Sequence, residues 1–421
     1  MTNQALKVRV LQISLYNQLV GYLAGYQDGK AIFTFSHEYI SQNIEDRSTL
    51  SLKYFKQSDD AFRTQLKSRV KLPPVFSNLL PEGELRDYVV RNLKVHTDAE
   101  FELLAQLGRD LPGALSANEI ESDEIPPYAL KGRVQITPEV KDSPETDHFS
   151  LSGVLMKFSL FQIGGAFHIS KSKNVGTWIV KVPSSRFLKV PLNEFSSMKL
   201  AEAAGVTIPE IKLINLEHIT GLPDIKMPDE PYAYAIKRFD RDAGERIHAE
   251  DFAQVFDLYP AQKYRGTNYD TIARTIFHTF PDPIPDIQEF VARLAVNIMI
   301  GNGDAHIKNW SVLYKDRINP SLSPAYDIVF TRAYIESDDS IALNLGKEKK
   351  TDQLTLTHFK ALAKRADIDW LIIRARLYET IEKARDTWPS LLNDLAMPEA
   401  HKKKLKKYWQ SLTPDFKIVT E

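Results

Sequence analysis

The chain has 421 residues, 43% of them hydrophobic and 26% charged, a composition typical of globular proteins. Lys and Arg total 54 against 55 for Asp and Glu, so the net charge of −1 gives no general attraction to DNA or anionic membranes. The absence of cysteine excludes disulfides, thiolate metal sites and cysteine nucleophiles. Residues 1–18 lack the apolar core of a signal peptide, and no apolar stretch reaches membrane-spanning length. We expect a soluble, cytoplasmic protein with two or more domains.

The first part of the chain has the pattern of a β-meander followed by helices. Residues 8–35 contain three strand-like runs, separated by turn signals at 17–18 and 28–29. Apolar residues at a spacing of three to four then predict helices at Glu84–Leu93 and at Asp98–Leu107, the second of which ends at Gly108. We interpret this part, residues 1–117, as one domain.

Residues 118–148 are rich in acids and prolines and are interpreted as a linker. Beyond it, a helix is expected at Asn193–Ala204. Five short strand-like runs surround this helix, at Leu155–Gln162, Ala166–Ser170, Trp178–Val182, Glu210–Leu216 and Tyr232–Arg238. We interpret residues 149–240 as a small sheet-rich lobe. Residues 241–421 are interpreted as a helical lobe with two short strands, at Trp310–Tyr314 and Ala325–Val329. The predicted fold class is α+β with a bilobal arrangement.

The strongest local signal is the polar loop around Asp304, which lies between a helix-like and a strand-like segment. Asp304 and Asn309 stand five residues apart, as in the kinase catalytic loop, where the aspartate accepts the substrate proton and the asparagine binds Mg²⁺. A hairpin of the two short strands would bring Asp327 beside Asn309 as a second oxygen ligand. Either aspartate alone would more simply cap a turn or a helix. The pair in this order and spacing favours phosphoryl transfer.

Three weaker signals lie upstream. Lys181 interrupts an apolar strand and Glu194 follows 13 residues later, as in the kinase lysine–glutamate pair. Lys181 could instead face solvent, and Glu194 could be a helix-start acid. The turn at 150–153 and Lys157 could bind phosphate, although such turns are common. Residues 237–239 could bind adenine through their backbone or simply connect the lobes.

With these parts in order, the chain resembles the HipA family of toxin kinases from bacterial toxin–antitoxin systems. The most specific stretch is 303–312, GDAHIKNWSV, which is similar to the family's catalytic loop. Stretches at 76–83, FSNLLPEG, and 107–114, LGRDLPGA, resemble N-terminal signatures of the family. The resemblance implies a kinase-like fold for the two lobes, preceded by a HipA-type N-terminal domain.

The resemblance also implies the site and its cofactors, ATP and Mg²⁺. Asp304 would be the catalytic base, and Asn309 and Asp327 would bind the metal. The implied nucleotide site consists of Ser152, Gly153, Val154, Leu155, Met156, Lys157, Lys181, Glu194, Lys237, Arg238, Phe239, His306, Lys308, Asn309, Tyr326 and Asp327. Ser150 matches the family's autophosphorylated serine, whose added charge would repel ATP. Leu155 stands where the family usually has glutamine, which puts a side-chain phosphate contact there in doubt.

Family membership implies partners as well: a HipB-like DNA-binding antitoxin, operator DNA reached mainly through that antitoxin, and a protein substrate of the glutamyl-tRNA synthetase type. The basic segment 401–407 is more simply a solvated helix face than a DNA contact. Two other functions stay open, a small-molecule kinase with a similar loop and a non-catalytic interaction protein. A hydrolase metal site on Asp304 and His306 lacks a third ligand.

Overall fold

The computed structural model describes residues 6–130, 134–136, 156–163, 166–169, 176–223 and 225–419. Two of the predicted elements, the serine at 150 and the 152–155 part of the phosphate loop, lie outside the described residues. Within the described chain, no helix combines the length and apolar character needed to cross a membrane.

The first sheet confirms the predicted β-meander. Its strands are β1 (Leu6–Leu15), β2 (Gln18–Tyr26), β3 (Lys30–Phe35), β4 (Leu66–Arg69), β5 (Leu115–Glu119) and β6 (Val134–Ile136). They are ordered β4-β3-β2-β1-β5, and β6 pairs with β1 in parallel. The first hairpin turns at Tyr16 and Asn17, both with positive φ, which gives the twist that a two-residue hairpin loop requires.

Part of the segment expected to be a linker is folded onto this sheet. β5 runs antiparallel to β1, and residues 134–136 form the parallel neighbour β6. Between them, Ile125 and Ala129 are buried against Val8 and Val10. These apolar positions are too sparse to show a periodic pattern in the sequence, so their attachment depends on tertiary packing.

Four helices accompany the first sheet: α1 (His37–Ile40), α2 (Pro74–Ser77), α3 (Gly83–Leu93) and α4 (Glu100–Leu107). The two longer ones confirm the prediction from apolar spacing, since Leu85 and Val89 of α3 and Leu103 and Leu104 of α4 are buried. Helix α3 ends at Lys94 in the left-handed conformation, without the glycine that usually takes this position.

The second sheet has six strands and one helix on the chain between them. The strands are β7 (Lys157–Ile163), β8 (Ala166–Ile169), β9 (Trp178–Lys181), β10 (Ile211–Asn215), β11 (Ile219–Thr220) and β12 (Tyr232–Lys237), in the order β10-β12-β9-β7-β8-β11. Helix α5 spans Val190–Ala203. It begins three residues before the predicted start, so Glu194 lies in its second turn and not in the first.

The remaining chain forms the helical lobe. Its helices are α6 (Phe252–Val255), α7 (Tyr269–Thr279), α8 (Pro283–Ile300), α9 (Leu356–Ala366), α10 (Trp370–Asp394) and α11 (Glu399–Ser411). Helix α8 is central, since every residue from Phe290 to Ile300 is buried, and it packs against both α7 and α10. Short strands complete the lobe: β13 (Arg241–Asp242), β14 (Glu245–Arg246), β15 (His248–Asp251), β16 (Ser311–Tyr314), β17 (Ser321–Leu322), β18 (Ser340–Leu345) and β19 (Glu348–Lys350).

The predicted strand at Ala325–Val329 is wrong. β16 pairs with β15 and β17, and residues 325–329 have no strand partner. Asp327 itself has φ 55°, a left-handed conformation that a strand residue does not adopt. The chain therefore reaches the site as an irregular segment, and the pair β18–β19 that follows was not predicted.

Candidate active site

The loop that carries Asp304 is fixed at its start by the end of α8. Gly301 closes that helix with φ 74°, and a side chain there would collide with the ring of Tyr408. Asn302 then bonds in three directions: its Nδ2 donates to Asn297 Oδ1 (2.7 Å) and to the Asp327 carbonyl (3.2 Å), and its Oδ1 accepts from the Asp304 N–H (3.1 Å). Asn302 therefore ties the loop to the segment that carries Asp327.

Asp304 and Asn309 are linked within this loop. Asn309 Nδ2 donates to the Asp304 carbonyl (2.8 Å), which leaves Asn309 Oδ1 as an acceptor or ligand. The Asp304 carboxylate is about half exposed and accepts a hydrogen bond from the Tyr264 hydroxyl. Burial and the negative charge of Asp304 raise the pKa of Tyr264 well above its ordinary value, so this phenol stays protonated. A hydroxyl group thus already lies against the predicted base.

Lys181, Glu194 and Asp327 form a second group of contacting side chains in the site. Lys181 Nζ forms an ion pair with Glu194 Oε1 (2.6 Å) and another with Asp327 Oδ1. Burial disfavours the charge of Lys181, but Asp327 and Glu194 outweigh it and raise the lysine pKa. Burial raises the pKa of Glu194, against the effect of Lys181. Burial also opposes ionisation of Asp327, yet Lys181 and Lys157 lower its pKa to about 2.

Lys157 adds a second buried ammonium. It lies directly opposite Lys181 on the neighbouring strand. Burial lowers the pKa of Lys157 to about 8, with Asp327 opposing the shift. In the described part of the chain no carboxylate forms an ion pair with it. Two adjacent ammonium groups, one of which has no ion-pair partner among the described residues, are suited to binding phosphate.

The 237–239 segment is held in place by the first domain. The Arg238 guanidinium is buried and pairs with Asp240 and Asp110, and its backbone N–H donates to the Thr177 carbonyl (2.8 Å). Neither group is therefore free to contact a nucleotide. The ring of Phe239 instead packs against that of Tyr326, with the ring centres 5.5 Å apart and the planes tilted by 40°.

The predicted residues surround one cavity of about 790 Å³. It is lined by Lys157, Lys181, Glu194, Lys237, Arg238, Phe239, Asp304, His306, Lys308, Asn309, Tyr326 and Asp327. Of the predicted residues that the structure describes, Met156 does not line it. Burial lowers the pKa of His306, so its imidazole is neutral at pH 7. Tyr326 supports the loop from behind by donating to the Lys308 carbonyl (2.9 Å).

Several groups in the cavity were not predicted from the sequence. Glu82 reaches it from the first domain and pairs with Lys308 (2.6 Å) and Lys263 (3.0 Å). Burial disfavours the charge of Glu82, but the two lysines lower its pKa to about 2. Tyr264 and Asp338 also line the cavity, beside Asp304. One indication of Glu82 was present in the sequence, since it lies in the 76–83 stretch that resembles a family signature. Its partners Lys308 and Lys263 are far away in the sequence and could not be predicted.

Comparisons with known proteins agree with this architecture. Residues 11–118 match the model of the HipA N-terminal domain, and residues 149–388 match that of the HipA-like C-terminal domain. A putative kinase of Sinorhizobium fredii, Y4dM, is 40% identical over 395 residues, which cover 93% of this chain and 94% of that protein. The serine/threonine-protein kinase toxin HipA of Shewanella oneidensis is 25% identical over 308 residues, 64% of this chain and 66% of that protein.

A solved structure has a similar fold over nearly the whole chain. It is the complex of Shewanella oneidensis HipA with HipB and operator DNA, and the match has a TM-score of 0.70. The match covers 95% of each chain at 18% identity. The two proteins therefore share the same α+β architecture, with both lobes and the N-terminal domain.

Proposed function

Because the chain belongs to the HipA family, we propose that it is an ATP-dependent serine/threonine protein kinase, the toxin of a toxin–antitoxin pair. The observation that carries this proposal is that the ion-paired residues Lys181, Glu194 and Asp327 line the same cavity as Asp304 and Asn309. These are the types of residue that a phosphoryl-transfer site requires.

The proposed roles follow from the positions of the side chains. Lys157 and Lys181 would bind the anionic phosphates of ATP, and Glu194 would keep Lys181 in place when Asp327 takes another partner. Asp304 would accept the proton of a substrate hydroxyl, and the hydrogen bond from Tyr264 supports this, since it puts a hydroxyl against the same carboxylate. Most of the rate would come from positioning and charge stabilisation.

The residues present fit a magnesium ion. Asp327 is ionised, and Asn309 Oδ1 accepts no hydrogen bond from the residues that the structure describes, since only the amide nitrogen is bonded to Asp304. Among the described residues no three carboxylate or imidazole groups form a closed metal cage, which agrees with an ion that takes its other ligands from phosphate and water. When bound, Mg²⁺ supplies positive charge to the transferring phosphate oxygens.

The finer parts of the proposal concern partners and regulation. A HipB-like antitoxin would neutralise the toxin and provide most of the contact with operator DNA, as suits a chain of net charge −1. The target would be a protein involved in translation, of the glutamyl-tRNA synthetase type.

We propose self-phosphorylation at Ser150, which mass analysis of the ATP-treated chain would find on the peptide that contains this serine. Phosphate found only on other peptides would contradict that assignment.

Labelled ATP tests the proposed activity. The full chain is incubated with γ-labelled ATP, Mg²⁺ and a cell extract, and label is expected on protein. Asp304→Asn should lower this transfer by about 10³-fold while ATP binding persists, because the variant loses the base and keeps the phosphate site. The exposed Asp386→Asn on α10 is the matched control. Label on metabolites alone would indicate a small-molecule kinase, and no transfer at all would indicate a non-catalytic protein.

A further inference from the structure

Lys308 immediately precedes Asn309 in the catalytic loop, and its ammonium group is buried. Only 4% of its side chain is exposed, so its charge requires a compensating anion. Within the helical lobe the nearest described carboxylate is Asp251, at 3.9 Å. The close partners come from the N-terminal domain: Glu82 Oε1 lies at 2.6 Å and the Asn78 carbonyl at 3.2 Å.

Glu82 also binds a second segment beside the base. Its other oxygen pairs with Lys263 Nζ at 3.0 Å. The Lys263 carbonyl accepts from the Ile307 N–H of the catalytic loop (3.3 Å), and the next residue, Tyr264, donates its hydroxyl to Asp304. The Glu82 carboxylate therefore contacts both the catalytic loop, through Lys308, and the segment that places Tyr264 against Asp304, through Lys263.

The local structure of Glu82 indicates that this contact is its main role. Glu82 is the N-cap residue of α3, a position where Ser, Thr, Asp or Asn commonly accepts a hydrogen bond from the helix itself. Here the side chain makes no such capping bond and turns to the two lysines. Its carboxylate is largely buried and ionised, as a fixed partner for two cations should be.

We propose that Glu82 is a positioning residue through which the N-terminal domain holds the catalytic loop in its working geometry. The assignment rests on the proposed kinase function. It makes the N-terminal domain part of the active site, because without Glu82 the buried Lys308 ammonium would turn toward the carboxylates in the cavity. Asn309 would then shift with it. Lys157 and Lys181, the proposed phosphate ligands, lie in the other lobe and form no described ion pair with Glu82, so their positions should not change.

The test compares Glu82→Gln with Glu84→Gln in the full chain. Glu84 lies on the same helix and forms no ion pair in the described structure, so the control makes the same chemical change. For Glu82→Gln we expect the maximal rate of label transfer to fall about 10²-fold, as for a misplaced reactive group, with the KM for ATP nearly unchanged. Glu82→Asp keeps the charge and should recover part of the rate.

Hydrogen exchange provides a readout that does not depend on activity. In Glu82→Gln, the amides of residues 302–309 should exchange faster than in the wild type, with those of α3 unchanged. Equal loosening of α3 and the loop, or a parallel loss of ATP binding, would overturn the assignment in favour of a general structural role. If Glu82→Gln does not fold, Glu82→Asp carries the test, and a rate like that of the wild type with no change in loop exchange overturns it.

The two proposals fail in different ways. A wild-type chain that transfers no label would refute the kinase function and this assignment together. An active wild type with Glu82→Gln indistinguishable from Glu84→Gln would refute the role of Glu82 alone.

Discussion

Two clusters of buried charge lie close together in this molecule and differ in how their charges are paired. The catalytic cluster consists of Lys157, Lys181, Glu194 and Asp327. The hinge cluster consists of Asp110, Arg238, Asp240 and Arg241. Both join segments far apart in the sequence, and all of these residues are buried except Asp327, whose side chain is 29% exposed.

In the hinge cluster every charged side chain forms an ion pair with another member of the cluster. Arg238 binds Asp240 through two parallel hydrogen bonds of 2.9 and 2.7 Å, and Arg241 bonds to Asp110 and to the carbonyls of Leu111 and Gly113. Planar guanidinium groups fit carboxylates in this fixed geometry. The 107–114 stretch of the N-terminal domain is thereby fastened to the chain that connects the two lobes.

In the catalytic cluster one charged side chain has no ion-pair partner among the described residues. Lys181 has two carboxylate partners on separate elements, and Lys157 has none among the described residues. A lysine is a point charge that can exchange partners, and the cluster faces the cavity. Buried ion pairs alone therefore do not distinguish a candidate reactive site from a structural one. The distinguishing features here are a lysine without an ion-pair partner among the described residues and the cavity beside it.

An aspartate-to-asparagine substitution should mainly lower activity in the catalytic cluster and mainly lower stability in the hinge cluster. Asp327→Asn is expected to lower phosphoryl transfer by roughly 10³-fold, since it removes charge where the phosphates and metal would bind. Stability should change little, because Lys181 keeps Glu194 and asparagine tolerates the left-handed backbone at this position. Label transfer and denaturant unfolding measure both effects. Activity near that of the wild type would contradict an electrostatic role for Asp327.

Asp240→Asn should act mainly on stability. Burial disfavours the charge of Asp240, but Arg238 and Arg241 hold its pKa well below the ordinary value. Removing it leaves two buried guanidinium groups short of an anion, which should lower the free energy of unfolding by about 3–5 kcal/mol. Denaturant unfolding beside the exposed Asp242→Asn control measures this. A loss below about 1 kcal/mol would mean that the hinge cluster is not a structural joint.

A smaller effect is expected from pH, through His248 next to the hinge cluster. Its ring is buried, Nε2 donates to the Leu50 carbonyl (2.8 Å), and burial lowers its pKa to about 4. The unfolded imidazole binds a proton below about pH 6.5 and the folded one only near pH 4, so stability should fall as the pH decreases through this window. Relative to His248→Gln, the wild type should lose about 2 kcal/mol between pH 7 and pH 5. Parallel losses in both proteins would show that another group controls the acid response.

Features that depend on local sequence patterns could be predicted before the structure was known. The meander was predictable because alternating strands and tight turns are local patterns. The loop shared by Asp304 and Asn309 was predictable because the two residues are only five apart. Asp327 was placed in a strand because residues 325–329 have strand-like composition, but no neighbouring chain pairs with them.

The contacts of the N-terminal domain with the two lobes could not be predicted. Glu82 meets Lys308 across 226 residues, and Arg238 meets Asp110 across 128. No spacing rule relates such positions, because their proximity results from the packing of the N-terminal domain on the two lobes. The 76–83 and 107–114 stretches could be noted as motifs, whereas their partners in the catalytic loop and the hinge required the structure.

A crystal structure of the full chain with a non-hydrolysable ATP analogue and Mg²⁺ would show whether the proposed side chains bind the nucleotide and the metal. We predict that the phosphates lie against Lys157 and Lys181 and that the metal is bound by Asn309 and Asp327, with Asp304 facing the terminal phosphate. A nucleotide bound in another part of the molecule, or a metal that contacts neither Asn309 nor Asp327, would contradict the proposed roles of these residues.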